Sequence, residues 1–407
     1  MISDYRLVAK SWQTPFVVLL GGCLISLVGF GARSSYGLYL GPMTLDLNWT
    51  RETFALAMAL QNLFWGICLP LAGILVDRYG PLWVVIGGAL IYALGTFGMT
   101  WVESSGSLYL AGGILVGTGV AFTSFSLVTA TMVRVVGVQR RSLVMGLCTA
   151  AGSLGQVLYS PITQGMISNH GWSSALVVTA VSVCLIIPLA FMLPNDPRVR
   201  DENVVHTGSV GAMREAFAHR GFLLLTAGFF VCGFHVAFIT VHLPVYVSDL
   251  GLGSMVGAIA ISLIGIFNIV GSLLSGAFGQ RFSKKCGLSS IYALRAVTLL
   301  VFLVAPKSEL TIYIFAATMG LLWLSTVPLT AGIIAQVFGI RYMATLYGFV
   351  FLSHQIGSFI GVWMGGYIYD LTGSYDLMWQ AGIILGLAAA LIHLPINEQP
   401  VPRLQAE

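Results

Sequence analysis

Two arginines, Arg33 and Arg295, fall inside long apolar stretches of a chain whose 15 acidic residues all lie at the ends of such stretches, between them or in the tails. A fixed charge at membrane depth is costly and marks a functional site by default. A guanidinium can hold a carboxylate through two parallel hydrogen bonds, so the chemistry expected is recognition of an anion. Arg33 lies about 17 residues into its stretch, roughly 26 Å at 1.5 Å per residue, in the outer part of a bilayer. There it either faces a cavity or snorkels to the headgroups. Arg295 lies about nine residues beyond Cys286, roughly 14 Å deep and near the midplane. Both substrate contact and bonding to backbone carbonyls at a helix seam are open to it.

Other polar side chains in the apolar stretches form a candidate substrate-binding set: Gln61 and Trp65, Gln156 and Tyr159, each pair four apart and on one helical face, with His235, Asn268, His354 and Gln355. Amides and aromatics with a polar tip suit a cavity that orients a small organic molecule. With no acid inside a stretch, His235 is also the candidate proton carrier, the alternative being a neutral, hydrogen-bonded ring. His242 shares its face seven residues on, nearer the outer end. Trp323 and Trp363 read first as packing or interface anchors. Tyr36, with Tyr39 one turn on, is a candidate outer gate.

The elements that must position these residues are membrane helices. Charged residues make up 8% of the 407-residue chain and hydrophobic residues 57%, against about 25% charged in soluble domains. Twelve apolar stretches are long enough to span: 16–40, 53–76, 83–102, 107–133, 142–166, 173–194, 221–247, 255–279, 286–305, 309–335, 345–369 and 376–396. With Met1 inside, the outer loops hold only Arg51 and Lys307 of the 19 Lys and Arg. This basic asymmetry predicts cytoplasmic termini and accounts for the net charge of +4 without nucleic acid. The six cysteines have no C-x-x-C spacing, so neither a disulfide nor a metal site is expected, and no cofactor is expected either.

A polar segment, 195–220, divides an N-terminal half (1–194) from a C-terminal half (221–407) and reads as a cytoplasmic linker. A shift of 202 or 203 positions superposes Pro42 on Pro244, Asp46 on Asp249, Gly73 on Gly276, Arg78 on Arg281, Gly155 on Gly357 and Gly171 on Gly373. The same shift places Arg33 over His235, at equivalent depths of spans 1 and 7, and His354 and Gln355 over Gly152 and Ser153. The fold class expected is therefore all-α, twelve transmembrane helices in two pseudo-symmetric bundles of six.

Gly73-Ile-Leu-Val-Asp77-Arg78-Tyr-Gly80 resembles the G-x-L-x-D-R-x-G signature of the major facilitator superfamily, with Pro81 and Leu82 in place of its trailing basic residues. Gly276-Ala-Phe-Gly279-Gln280-Arg281 is a degenerate copy. The resemblance implies alternating access around a midplane cavity, monomeric function, and inner gates near Asp77, Arg78, Arg141 and Arg341. More narrowly, the run from Arg140 to Gly155 and the stretch Gly31-Ala32-Arg33-Ser34 resemble monocarboxylate transporters and their bacterial relatives, including oxalate/formate exchangers. Where those transporters carry an Asp and an Arg in span 8, this chain has Asn268 and Ser272.

No nucleophile triad, metal-ligand spacing or phosphate-binding glycine loop is present, so the chain is not expected to be an enzyme. The function expected is secondary transport of a small organic anion, a carboxylate, across the inner or plasma membrane. Its partners would be that small molecule, the lipid bilayer, and protons or a counter-transported anion. The alternatives are a proton-coupled transporter or exporter of a neutral or amphipathic metabolite or drug, and a non-transporting membrane sensor.

Overall fold

The computed structural model describes residues 12–136, 141–195, 207–339 and 343–401. These contain helices and no strand. A backbone in hydrocarbon has to satisfy its polar groups within the segment, and the apolar runs do so as helices. Polar residues at their starts set several boundaries. Thr14, Thr50, Ser283 and Ser308 each accept a hydrogen bond from a backbone N–H in the first turn of the following helix.

The first half comprises α1 (Pro15–Asp46), bent by a 3-10 turn at Tyr36–Tyr39, then α2 (Arg51–Tyr79), α3 (Pro81–Gly98), α4 (105–136), α5 (141–170) and α6 (172–190). The expected spans 142–166 and 173–194 are joined without a loop. Arg141–Cys184 is one helical stretch that turns at Gly171, where φ is 81°. Length and apolarity alone thus count 11 spanning segments, and the turn at Gly171 makes twelve helices. A short helix, Thr207–Ala218, precedes the second half. That half comprises α7 (Arg220–Asp249), α8 (Ser254–Arg281), α9 (Lys284–Val304), α10 (Glu309–Phe338), α11 (Met343–Thr372) and α12 (Asp376–His393). Exposed Leu273, Leu274, Val301, Ile384 and Leu391 give α8, α9 and α12 apolar outer faces suited to lipid.

The internal repeat is visible in the backbone. Positive φ recurs at Asn48 and Gly251, and again at Gly171 and Gly373, pairs related by the sequence shift. Close helix approach recurs as well. A Cβ on Gly155 would run into the Leu27 carbonyl oxygen, and one on Gly357 into that of Phe230, so α5 packs on α1 as α11 packs on α7. A third recurrence is an interruption at matching positions, Thr123–Ser124 in α4 and Trp323–Ser325 in α10.

On the face opposite Trp12 and Val401 the two halves are fastened together. Arg51, opening α2, pairs with both carboxylate oxygens of Asp249 at the end of α7 (2.6 and 2.7 Å). Its guanidinium stacks 3.7 Å from the Tyr369 ring centroid and donates to the Tyr375 hydroxyl at 3.2 Å. Asp370, at the end of α11, accepts from the Arg51 and Glu52 N–H groups at 3.1 and 2.7 Å, capping a helix of the other half. Trp363 Nε1 donates to Glu52 at 3.0 Å. Asp249→Asn is expected to loosen this latch and raise severalfold the rate at which a thiol reagent modifies a cysteine at position 240, between α1 and α7. Labelling kinetics of T240C against T240C/D249N, with the native cysteines replaced, measures it.

Candidate functional site

Arg33 ends the straight part of α1, just before the 3-10 turn, with its guanidinium between two cavities. On one side a narrow cleft separates α1 and α2 from α7, lined by Arg33, Tyr36, Met58, Asn62, Ala237 and Thr240 among others. On the other side a small cavity lies within the first half, against α4. Arg33 Nη2 donates to Asn62 Oδ1 at 2.5 Å, and the guanidinium carbon stands 4.5 Å from the Trp65 ring centroid. The Arg33 Nε is buried and has no partner. The ion pair among the described residues is Arg51 with Asp249 at the distal face, so Arg33 keeps its charge without a carboxylate.

Several expected site residues gather here. Trp65 stacks on Arg33 and packs edge-on against Phe351 of α11 (5.3 Å). Gln61 lines the cleft while its amide donates to the Gly112 carbonyl of α4 at 3.2 Å. Gln355 reaches from the other half to donate to the Asn62 carbonyl at 3.0 Å, and its Oε1 is bonded to His354 Nδ1 at 2.9 Å. His354 therefore lies one residue behind the junction, parallel to Phe351 and against Phe229. Tyr36 lines the cleft, but its hydroxyl is tied to Thr96 of α3 at 2.6 Å, which fixes it to its own half.

Other expected members are placed elsewhere. His235 is not brought to Arg33. Its Nε2 bonds the Gly382 carbonyl at 2.8 Å, and the ring points into the second half against α12, with Nδ1 buried and unpartnered. Equivalent depth did not fix the direction of the side chain. His242 belongs to the distal latch, bonded to Tyr375 (3.0 Å) and the Val362 carbonyl (2.9 Å). Gln156 and Tyr159 part company: the first donates to the Ile261 carbonyl of α8 at 2.7 Å, the second to Ser182 of α6 at 2.9 Å.

Arg295 is fully buried and bonds the interruption of α10 through Nε and Nη2, while its Nη1 is buried and unpartnered. Nε and Nη2 donate to the Leu322 carbonyl at 3.1 and 2.7 Å, and Nη2 also to that of Trp323. Asn268 completes the repair. Its Oδ1 accepts from the Leu324 N–H at 3.0 Å, and its amide donates across the halves to Ser153 at 2.9 Å. Ser275 bonds the Ser325 carbonyl. Of the expected gates, Asp77 and Arg78 lie in the last turn of α2, which Gly80 ends at φ 83°. The side chain of Arg141, and Arg341 altogether, lie outside the described residues.

Two parts of the arrangement escaped the sequence reading. Asn62 carried a signal, an amide three residues from Trp65 in an apolar span. The latch did not, because Arg51 and Asp249 look like ordinary loop charges until the chain is folded.

Residues 22–362 match the family profile of the Major Facilitator Superfamily. The chain belongs to that superfamily. It is 26% identical over 389 residues to monocarboxylate transporter 13 of Rattus norvegicus, covering 93% of this chain and 89% of the relative. It is 24% identical over 403 residues to the oxalate:formate antiporter of Oxalobacter formigenes, covering 98% and 93%. A solved D-xylose-proton symporter superposes with a TM-score of 0.76 at 14% identity, covering 95% of this chain and 99% of the symporter, which supports the fold alone. The protein is thus a multi-pass membrane transporter of small molecules.

The two buried arginines should separate in a stability measurement. Arg295→Gln removes the donors that close the α10 break, at roughly 1–3 kcal/mol per orphaned carbonyl, and should lower the melting temperature of the detergent-purified protein by several degrees. Arg33→Gln, which keeps an amide beside Asn62, should melt close to the unsubstituted protein.

Proposed function

We propose that this transporter carries a small organic anion, a carboxylate, by alternating access. The observation that carries the reading is Arg33: a cation at membrane depth, between two cavities, stacked on an aromatic ring and without an acidic partner. Such a group draws an anion out of water and fixes its orientation. An acid-free set of spans gives a cationic cargo nothing to pair with. The names of two relatives, a monocarboxylate transporter and an oxalate:formate antiporter, agree in cargo chemistry.

In this reading the distal latch closes one face, and its release lets the halves rock about the Arg33 level to expose the site on the other side. The basic asymmetry of the loops orients the chain with its termini in the cytoplasm of the inner or plasma membrane. Coupling is to protons or to a second anion moving the other way.

The test is uptake of labelled pyruvate, butyrate, benzoate and oxalate into proteoliposomes, once with an imposed pH gradient and once with unlabelled anion inside. Saturable uptake of at least one of them is expected, with the dependence on internal anion separating exchange from proton symport. Arg33→Gln should abolish it while the protein stays folded. Absence of saturable flux for all four, or unchanged kinetics in the variant, would overturn the reading.

A further inference from the structure

The interruption of α4 and that of α10 occupy matching positions, Ser325 being Thr123 shifted by 202, yet they are treated in opposite ways. In α10 the freed backbone groups are taken up by Arg295, Asn268 and Ser275, with Arg295 Nη1 left buried and unpartnered. In α4 the break opens on the cavity beside Arg33, and the polar side chains around it are left over. Ser124 Oγ, Trp65 Nε1 and Arg33 Nε are each buried without a hydrogen-bond partner, and all three residues line that one cavity. Trp65 is 6% exposed and Ser124 5%.

Buried polar groups in native proteins are nearly always bonded, and an orphan costs on the order of 1–3 kcal/mol. Three meet around one small cavity and call for a partner that accepts. Indole N–H and guanidinium N–H can only donate, and a hydroxyl can donate by rotation. The second segment of α4, Phe125–Val136, opens at the same place, its first helical bond running from the Val128 N–H to the Ser124 carbonyl at 3.2 Å. The N–H end of that helix adds positive potential to the break. Thr123, one residue earlier, supplies nothing, because its hydroxyl is already bonded to the Gly119 carbonyl at 2.9 Å.

We propose that the carboxylate of the cargo is held at the break in α4 by Arg33, the Trp65 indole N–H and the Ser124 hydroxyl. A carboxylate offers two oxygens that accept only, matching a cradle of donors. Phe30, Val120 and Phe125 complete the lining and give the rest of the molecule apolar walls. Recognition is then the work of the first half, and the second half closes over it through Phe351 and Gln355. The inference rests on the anion reading above and adds two specificity-determining residues to it.

Thermal stabilisation by butyrate, benzoate and oxalate, titrated on purified full-length protein, tests it. Trp65→Phe keeps an aromatic ring under Arg33 and deletes one donor; Ser124→Ala deletes another, and Ser124→Thr restores a hydroxyl. W65F and S124A should each raise the half-saturating butyrate concentration roughly tenfold, S124T much less, with anion-free melting temperatures matching the unsubstituted protein. Butyrate affinity unchanged in either W65F or S124A, while Arg33→Gln abolishes binding, would overturn the cradle and leave the anion carrier standing. No stabilisation by any of the three anions would remove both.

Discussion

In hydrocarbon no water stands ready to bond a backbone group, so wherever a membrane helix is interrupted the fold itself must supply the partner. Among the described residues α4 and α10 are interrupted at matching places, one in each half, and several buried polar side chains are arranged around them. At Trp323–Ser325 the solution is internal. A guanidinium, an amide and a hydroxyl replace the lost helical bonds, and Asn268 then carries the repair across to Ser153 of the other half. At Thr123–Ser124 the side chains of Arg33, Trp65 and Ser124 each leave a buried polar atom unpartnered. The pseudo-symmetric scaffold therefore surrounds the same backbone device with different polar groups in its two halves.

The scaffold was readable from the chain because its causes are local or periodic. Apolar length sets the spans, capping hydroxyls set several of their starts, and one sequence shift relates the halves down to the positive-φ pair Gly171 and Gly373. The continuity of α5 into α6 was less readable, because a single glycine makes a turn that sequence suggests needs a loop. The site was readable only in part. Arg33 announced itself as a charge without a counter-charge, and Gln61 and Trp65 followed from helical spacing. Symmetry misdirected His235, since it relates backbone positions and leaves χ angles free: the arginine of one half lies between two cavities while the histidine of the other turns to α12. Arg295 was ambiguous for a different reason. Depth alone cannot separate a ligand-binding guanidinium from one that bonds carbonyls, and the Leu322 and Trp323 oxygens became visible only once α10 was seen to break.

Contacts between the halves differ in kind with depth. Near the midplane they are short amide and hydroxyl links, Gln355 to Asn62, Gln156 to Ile261 and Asn268 to Ser153, reaching backbone or small polar groups on the facing helix. At the distal face they are ionic and aromatic, with Arg51 bound to Asp249 and stacked on Tyr369. Uncharged links at the midplane can be remade after a small rotation without leaving a charge stranded in hydrocarbon. The strong charges sit where water can solvate them when they part.

Asp370 belongs to one half and the helix end it caps belongs to the other. In the proposed cycle, opening the distal face makes the first turn of α2 trade a carboxylate for water. That exchange is with the solution on one side only, where dissolved ions screen the charge and the helix end from each other. In the alternating-access reading proposed above, the resting balance between the two access states would then be weighted by the salinity of a single compartment, whatever the cargo gradient.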